Sequence, residues 1–413
     1  MAAKMPEKKL MTVLDIGTSK VTALIAEYTD SGEIQLLGLG TQPSRGLKKG
    51  VIVNIENTIQ AIQKAVEAAE EMANVKVTTV CASIAGAHIN SFNSNGVVAI
   101  RDREVSQADV ERVIDAAKAV AIPADQRILH ILPQEFLIDH QDEIKEPIGM
   151  AGVRLEAKVH LISGSISAVQ NVVKCIGQCG LQVSDLVLQQ LASSYAVLTD
   201  DEKELGVCMV DIGGGTADLT VFTEGAIRYT ASIPIAGGQV TNDIAHALRV
   251  PTQYAEEIKI AHGVALTRLA RNDQQIEVRG MLDRPGRSVS VQSLASVIEA
   301  RYEEIFNLIY EELVKSGLIE HMAAGLVLTG GASKMTGAVE LAEEVLRMPV
   351  RLGLPSRVMG LNETVADPIY ATAVGLLLYL EQQQKETLHP ASPSLDEGRS
   401  GLFAKMKRWV AQF

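Results

Sequence analysis

Apolar residues recur along this chain in two alternating patterns, short runs typical of strands and stripes at helical spacing. Residues 10–14, 21–26 and 34–38 form three short apolar runs, and each run predicts a buried strand. Residues 57–73 carry apolar positions every three or four residues, which predicts an amphipathic helix. The next β-rich run is at 75–83. This alternation of strands and helices is typical of an α/β fold.

The same alternation resumes in the second part of the chain, after a segment of different texture. Its predicted strands and helices are 159–162, 166–179, 189–199, 206–210, 253–271, 292–316, 325–328 and 369–380. The intervening segment, residues 85–159, is rich in charge and contains a helix whose start is well marked. Ser106 caps that helix, with Asp109 three residues later. The segment therefore predicts a small α+β insertion.

One short motif occurs twice and suggests that the chain is internally duplicated. Residues 13–18 (Val-Leu-Asp-Ile-Gly-Thr) recur as residues 209–214 (Met-Val-Asp-Ile-Gly-Gly), and a second strand follows each copy. Two strand–turn–strand hairpins of this kind predict two similar α/β halves that face each other.

The two hairpin turns also carry the strongest chemical signal in the chain. A phosphate chain needs backbone N–H donors and close approach, which glycine permits, and hydroxyl groups add further donors. Carboxylates at strand ends can hold the water shell of Mg²⁺, which keeps most of its waters. The candidates are Gly17, Thr18 and Ser19 in the first turn, Gly213, Gly214, Gly215 and Thr216 in the second, and Asp15 and Asp211 for Mg²⁺.

A third glycine-rich turn follows the predicted strand 325–328. Gly330 and Gly331 open a helical segment there, and a ligand could lie flat on such a backbone. No Gly-Lys dipeptide occurs, so the chain has no Walker A loop. Arg45, Lys48 and Lys49 form a basic loop, for which a solvated turn and a contact to phosphate or a partner remain alternatives.

The net charge of the chain argues against nucleic acid as a partner. The chain of 413 residues has a formal net charge of −12, and an acidic protein is poorly suited to binding nucleic acid. Its longest apolar stretch, residues 369–380, is shorter than the roughly 20 residues that a membrane-spanning helix needs.

The last segment is apolar and basic at once. Residues 382–400 are polar and predict a flexible linker, after which residues 401–413 predict an amphipathic helix. At about 100° per residue, its large apolar side chains share an arc of roughly 120°. The apolar residues are Leu402, Phe403, Met406, Trp409, Val410 and Phe413, and the flanking basic residues are Lys405, Lys407 and Arg408. Such a helix is suited to a membrane interface, and docking on the globular body is the alternative.

Together, the three glycine turns resemble those of the actin-like ATPase superfamily. That resemblance implies two duplicated ribonuclease-H-like halves around a nucleotide cleft, with ATP held by phosphate loops at 15–20 and 211–220. It adds Lys20 to the first loop, Lys334 to the adenosine loop, and Glu256 and Lys259 at the ribose. It also implies connecting helices at 188–198 and 366–378. Gln190 would orient the attacking water, with Gln189 as the alternative.

Longer stretches of the chain resemble the FtsA family of bacterial cell-division proteins. The segments that carry the resemblance are 15–20, 43–46, 152–154, 157–160, 204–208, 211–216 and 324–331. The family pattern implies a first subdomain from 1–84, 160–200 and 365–381, an inserted filament-contact subdomain at 85–159, and a second half at 201–364. Within that half, residues 245–325 would form the partner-binding subdomain.

The resemblance further implies a function in cell division. A family member would bind ATP, polymerise on the cytoplasmic face of the inner membrane, contact anionic lipids and other division proteins, and tether filaments of the tubulin-like GTPase FtsZ. Arg301, with Arg284 and Arg287 nearby, would contact the FtsZ tail. ATPase activity would be weak at most. The alternatives are a pilus-assembly ATP-binding module and a small-metabolite kinase of the same superfamily.

Overall fold

The computed structural model describes residues 10–388 except 30–31, 272, 279–285, 357 and 361. Its first sheet has the strand order β11-β6-β1-β2-β3. These strands are β1 (Leu10–Ile16), β2 (Lys20–Tyr28), β3 (Ile34–Pro43), β6 (Thr79–Ile84) and β11 (Gln182–Leu188). The helices α1 (Ile55–Ala73) and α3 (Ile166–Gln178) cover one face, and a small hairpin of β4 (Leu47–Lys48) and β5 (Val51–Ile52) precedes α1.

The inserted subdomain is a four-stranded sheet with one helix. Its strands run in the order β7-β10-β8-β9. The elements are β7 (Asn90–Ala99), α2 (Gln107–Lys118), β8 (Gln126–Ile138), β9 (Gln141–Ile144) and β10 (Arg154–Ser165). The predicted cap of α2 is confirmed, because Ser106 and Asp109 form a reciprocal capping box.

The insertion ends later than the sequence predicts. Strand β10 pairs with β7 from Arg154 to Ser163 and with β8 as far as Ser165, so residues 160–165 belong to the inserted sheet. A short apolar run at 159–162 predicts a strand of the first half. It is the buried middle of a 12-residue antiparallel strand instead.

The second half repeats the first sheet. Its strand order, β14-β13-β12-β17-β18, again places an antiparallel three-strand meander beside two parallel strands. The strands are β12 (Val207–Ile212), β13 (Ala217–Thr223), β14 (Ala226–Ile233), β17 (Leu326–Thr329) and β18 (Val350–Leu352). The register repeats as well, since Asp15 lies opposite Thr22 and Asp211 opposite Asp218. The predicted duplication is confirmed.

The rest of the second half is mainly helical. It contains α5 (Asp200–Leu205), α6 (Gly237–Leu248), α7 (Thr252–His262), α8 (Val291–Ser316), α9 (Ala338–Leu346) and α10 (Asn362–Val365), with a hairpin of β15 (Gln275–Val278) and β16 (Arg287–Ser290). The predicted helix 253–271 is too long. It stops at Gly263, whose backbone is extended, and a single 3₁₀ turn at Thr267–Leu269 follows.

Two helices of small residues connect the halves, as predicted. They are α4 (Gln189–Val197), which follows β11, and α11 (Ala371–Leu388), which packs back onto the first sheet. They cross closely at Gly375, where an added Cβ would lie only 1.8 Å from the carbonyl oxygen of Ala192.

Helix α11 also corrects the predicted linker. Residues 382–388 are helical, so a linker at 382–400 starts too early. Gln, Glu and Lys are good helix formers, and Lys385 pairs with Glu381 one turn earlier at 2.6 Å. The predicted tail helix at 401–413 lies outside the described residues. Within the described part of the chain, no helix combines the length and hydropathy that a membrane span requires.

Candidate functional site

One cavity lies between the two halves, at the ends of β1 and β12. Its volume is about 510 Å³, within the range typical of small-molecule sites. Both hairpin turns, the third glycine turn and the start of α6 line it. Every predicted nucleotide-binding residue lines the cavity: Asp15, Gly17, Thr18, Ser19, Lys20, Asp211, Gly213, Gly214, Gly215, Thr216, Glu256, Lys259, Gly330, Gly331 and Lys334.

The two glycine turns contact each other at the wall of the cavity. A Cβ on Gly214 would lie 1.8 Å from Ser19 Oγ, and a Cβ on Gly215 would lie 2.5 Å from Thr18 Oγ1. The basic loop closes over the same point, because the Gly50 N–H donates to Thr18 Oγ1 at 3.0 Å. Glycine is therefore required for the close approach of the second turn to the first.

Three carboxylates lie at the base of the turns, of which Asp15 and Asp218 are buried and Asp211 is half-buried. Asp15 accepts hydrogen bonds from Ser83 Oγ at 2.8 Å and from Gln189 Nε2 at 2.9 Å, yet burial raises its pKa. Burial also raises the pKa of Asp211 to about 7 and that of Asp218 to about 6. A nearby positive charge would favour the ionised form of each carboxylate.

These carboxylates fit a hydrated divalent cation. Since the raised pKa values reflect uncompensated burial of negative charge, a cation at the cavity would relieve that cost. Within the described ranges, no group of three or more His, Cys, Asp and Glu side chains is arranged to hold a metal by itself. A Mg²⁺ ion bound through water and ligand phosphates needs no such group.

Lys20 is a cation of the cavity wall that interacts electrostatically with Asp15 and Asp211. Its ammonium group donates to the carbonyl oxygen of Ile369 and lies 4.1 Å from the centre of the Tyr370 ring. Burial lowers its pKa to about 8, although Asp15 and Asp211 oppose this shift. The side chain therefore links the start of β2 to the 3₁₀ turn that precedes α11.

A second group of charged side chains lining the cavity comes from α7. Lys259 Nζ is 2.7 Å from Glu256 Oε2 and also donates to the Gly237 carbonyl oxygen and to Thr241 Oγ1. The pair is thus both an ion pair and part of the cavity wall. Lys334, which also lines the cavity, pairs with Asp367 and follows Gly330, whose φ is 85°.

The structure corrects one predicted residue. Gln190 is buried, does not line the cavity, and has no described partner for its Oε1 atom. Its neighbour Gln189 lines the cavity and reaches Asp15. Both occupy the first turn of α4, and only the orientation of the helix decides which of them faces the cavity.

Sequence reasoning also missed two features of the site. Asp218 faces Asp211 across the hairpin, and Gly50 brings the basic loop against Thr18. The signal for Asp218 was present, because a carboxylate seven residues after Asp211 falls opposite it once the turn is fixed. Gly50 had no comparable signal, since its contact depends on how a long loop returns to the sheet.

Two of the predicted partner residues, Arg301 and Arg287, do not line this cavity. Arg301 pairs with Asp243 through two hydrogen bonds of 2.6 and 3.0 Å and also contacts Glu304. Arg287 donates to the Leu248 carbonyl oxygen at 2.7 Å, whereas Arg284 lies outside the described residues. An acidic peptide at Arg301 would have to compete with Asp243.

Comparison with known proteins decides the family. Residues 208–375 match the profile "Cell division protein FtsA", and residues 86–163 match "SHS2 domain inserted in FTSA". The cell division protein FtsA of Pseudomonas aeruginosa is 57% identical over 412 residues, which cover 99% of each chain. The chain belongs to the FtsA family of cell division proteins. FtsA of Escherichia coli K12 is 45% identical and covers 91% of each chain.

Solved structures support the fold. A chain of the "PilM-PilN type IV pilus biogenesis complex" superposes with a TM-score of 0.65 at 16% identity, covering 89% of this chain and 98% of its own. MreB5 of Spiroplasma citri bound to ADP gives a TM-score of 0.57 at 14% identity, covering 93% and 100%. The actin-like ATPase fold is confirmed. At these identities the likeness to the pilus protein concerns the fold alone.

Proposed function

We propose that this FtsA-family protein binds ATP with Mg²⁺ in the cavity, polymerises on the cytoplasmic face of the inner membrane, and tethers FtsZ filaments there. The observation that carries the proposal is the contact between the two glycine turns at the wall of one cavity of about 510 Å³. Family membership over nearly the whole chain supports the cell-division role.

Each wall of the cavity suits one part of ATP. Backbone N–H groups and hydroxyls of the two turns would hold the phosphates, and Lys20 would add charge there. Asp15 and Asp211 would hold water molecules of Mg²⁺, which neutralises phosphate charge when bound. Glu256 and Lys259 would contact the ribose, and Gly330, Gly331 and Lys334 the adenosine.

Hydrolysis in this site would be slow. Gln189 is the side chain of α4 that would orient a water, but its amide already donates to Asp15 at 2.9 Å and to Ser83 at 3.3 Å. An amide engaged in this way is poorly placed to activate a water for attack. ATP would then act mainly by shifting the population of the two halves towards a closed state that favours the filament.

The tail supplies the membrane contact in this proposal. Residues 401–413 combine one apolar face with basic flanks, which favour an anionic lipid surface. The partner-binding subdomain, with Arg301 on α8 and Arg287 on β16, would take the acidic FtsZ tail. Self-association would involve the inserted subdomain.

Co-sedimentation with anionic liposomes, with and without ATP, tests the tether. We expect the full chain to pellet with lipid, and Trp409→Glu to abolish pelleting because a charge would enter the apolar face. Lys407→Arg is the matched control, since it keeps the basic flank. Equal pelleting of Trp409→Glu and wild type would contradict the proposed anchor.

Adding an FtsZ tail peptide to the same assay tests the partner site. The wild-type chain should carry the peptide into the pellet, and Arg301→Glu should carry at least about tenfold less because it repels an acidic peptide. Peptide recruitment by Arg301→Glu at the wild-type level would exclude this contact.

A further inference from the structure

Asp211 is held by hydroxyl groups from both connecting helices. Ser193 Oγ, on α4, donates to Asp211 Oδ2 at 2.6 Å. Thr372 Oγ1, on α11, lies 3.0 Å from Ser193 Oγ and 3.4 Å from the same carboxylate oxygen. Neither residue belongs to a predicted binding motif, and Ser193 does not line the cavity.

The direction of the hydrogen bonds follows from proton counting. A hydroxyl group has one proton, and Ser193 uses its proton on the Asp211 carboxylate. Thr372 also has one proton, which it can donate to Ser193 Oγ at 3.0 Å or to Asp211 Oδ2 at 3.4 Å. The shorter contact is the one to Ser193, so the Thr372 proton goes mainly there. The result is a chain of hydrogen bonds from α11 through α4 to Asp211, in which each bond polarises the next.

The two hydroxyl contacts restrain Oδ2 of Asp211, whereas Oδ1 faces the adenosine loop. Both hydroxyls converge on Oδ2, whereas Oδ1 faces Gly330, where a Cβ would come within 2.3 Å. Glycine at position 330, with a φ of 85°, lets the backbone of the adenosine loop pass close to this oxygen. The carboxylate is thus oriented by these contacts.

The hydroxyl pair lies beside the crossing of the two helices. Ser193 follows Ala192, whose carbonyl oxygen is the atom that Gly375 approaches, and Thr372 is one turn before Gly375. The hydroxyls that hold Asp211 therefore lie where the backbones of the two connecting helices come into contact.

We propose that Ser193 and Thr372 are positioning residues that orient Asp211 towards the divalent cation of a bound nucleotide. The inference rests on the proposed function, because it assigns these residues to the same site. Ser193 acts directly on the carboxylate, and Thr372 acts mainly through Ser193, so loss of Ser193 has the larger effect.

The test measures the affinity of a fluorescent ATP analogue in Mg²⁺ and in EDTA. The decisive quantity is the ratio of the two affinities, because general damage to the fold weakens binding in both conditions. We expect Ser193→Ala to lower the ratio about tenfold, in line with loss of a hydrogen bond to a charged group. Thr372→Val, which replaces the hydroxyl by a methyl group, should lower it about threefold.

The same two helices offer two control variants, Ser194→Ala on α4 and Thr372→Ser on α11. Ser194 is equally buried but donates only to the Leu191 carbonyl oxygen of its own helix at 2.7 Å, so Ser194→Ala should keep the wild-type ratio. Thr372→Ser retains the hydroxyl and should also keep it. If Ser193→Ala fails to fold, the Thr372→Val and Thr372→Ser pair decides the question.

The outcomes separate the two proposals. Wild-type ratios in Ser193→Ala and Thr372→Val, or equal losses with and without Mg²⁺, would overturn the positioning role. A wild-type chain that binds no nucleotide in either condition would instead overturn the proposed function of the cavity.

Discussion

At the scale of single residues, the cavity depends on glycines whose missing side chains let separate segments meet. Gly215 is the clearest case. A Cβ there would lie 2.5 Å from Thr18 Oγ1, 2.9 Å from Thr18 Cγ2 and 3.0 Å from Lys49 Cα. One methyl group at this position would therefore push the second hairpin away from both the first hairpin and the basic loop.

Gly215→Ala should consequently weaken ATP binding about tenfold or more with little loss of stability, because the added group acts at a domain boundary rather than in a core. Equilibrium titration with a fluorescent ATP analogue measures the effect, and the urea midpoint checks the fold. Gly177→Ala on α3 is the control, since nothing lies within 4 Å of the position that its Cβ would take. Unchanged affinity in Gly215→Ala would show that the spacing of the hairpins does not matter for binding.

At the scale of elements, the crossing of α4 and α11 holds the two halves together. Their buried surface consists mostly of small and branched apolar residues, and Gly375 permits backbone contact with Ala192. A helix interior normally disfavours glycine relative to alanine. Its presence here is explained by the close approach of the helices.

Gly375→Ala should therefore lower stability by about 1–3 kcal/mol, the cost typical of overpacking a dense interior. Gly177→Ala, a substitution of the same type in α3, should be neutral or stabilising by up to about 1 kcal/mol. Urea unfolding of both variants gives the comparison. An equal effect of the two substitutions would mean that the helices can separate without cost.

Most elements could be predicted from the sequence because their patterns are local. The hairpins, the α2 cap and the connecting helices all follow from apolar spacing and capping residues. The errors arose where tertiary context decided the result. Gly263 ends α7 inside a continuing apolar pattern, and the Gln-rich start of the predicted linker continues α11.

In the candidate site, too, the features set by local sequence patterns could be predicted and those set by tertiary packing could not. The glycine turns and the strand-end aspartates follow from composition and repetition, so their meeting in one cavity could be predicted. The choice between Gln189 and Gln190 depends on the rotation of α4 about its axis. That rotation is set by packing against α11 and the two sheets, which no local pattern encodes.

At the scale of the whole molecule, the inserted subdomain forms a second contact with the second half of the chain. Side chains of Ser91, Asn93 and Gln134 donate to carbonyl oxygens of β14, the edge strand of the second sheet. His160 lies among them, with Nδ1 at 2.7 Å from Asn93 Oδ1 and Nε2 at 3.0 Å from Thr230 Oγ1. Polar side chains thus cover a strand edge that would otherwise be open to further pairing.

This contact makes stability depend on pH. Burial lowers the pKa of His160 to about 4, whereas an unfolded histidine titrates near about 6.5. The unfolded chain therefore binds more protons between these values, so the contribution is complete above about pH 6.5 and is lost as pH falls towards about 4. His160→Gln should reduce the loss of stability between pH 7 and pH 5 by about 2 kcal/mol.

Urea midpoints at the two pH values measure this difference. Some pH dependence should remain in His160→Gln, because burial also lowers the pKa of His130 to about 4. The exposed His140 provides the control substitution, His140→Gln. A His160→Gln chain with the wild-type pH dependence would show that His160 does not contribute.

The proposed function requires that the paired aspartate–glycine hairpins hold one nucleotide between the two halves. The most direct measurement is a structure of the full chain with Mg²⁺ and a non-hydrolysable ATP analogue. We expect phosphate oxygens within hydrogen-bond distance of both Gly17–Ser19 and Gly213–Thr216, with the cation facing Asp15 and Asp211. Nucleotide bound elsewhere, or against only one of the two hairpins, would contradict it.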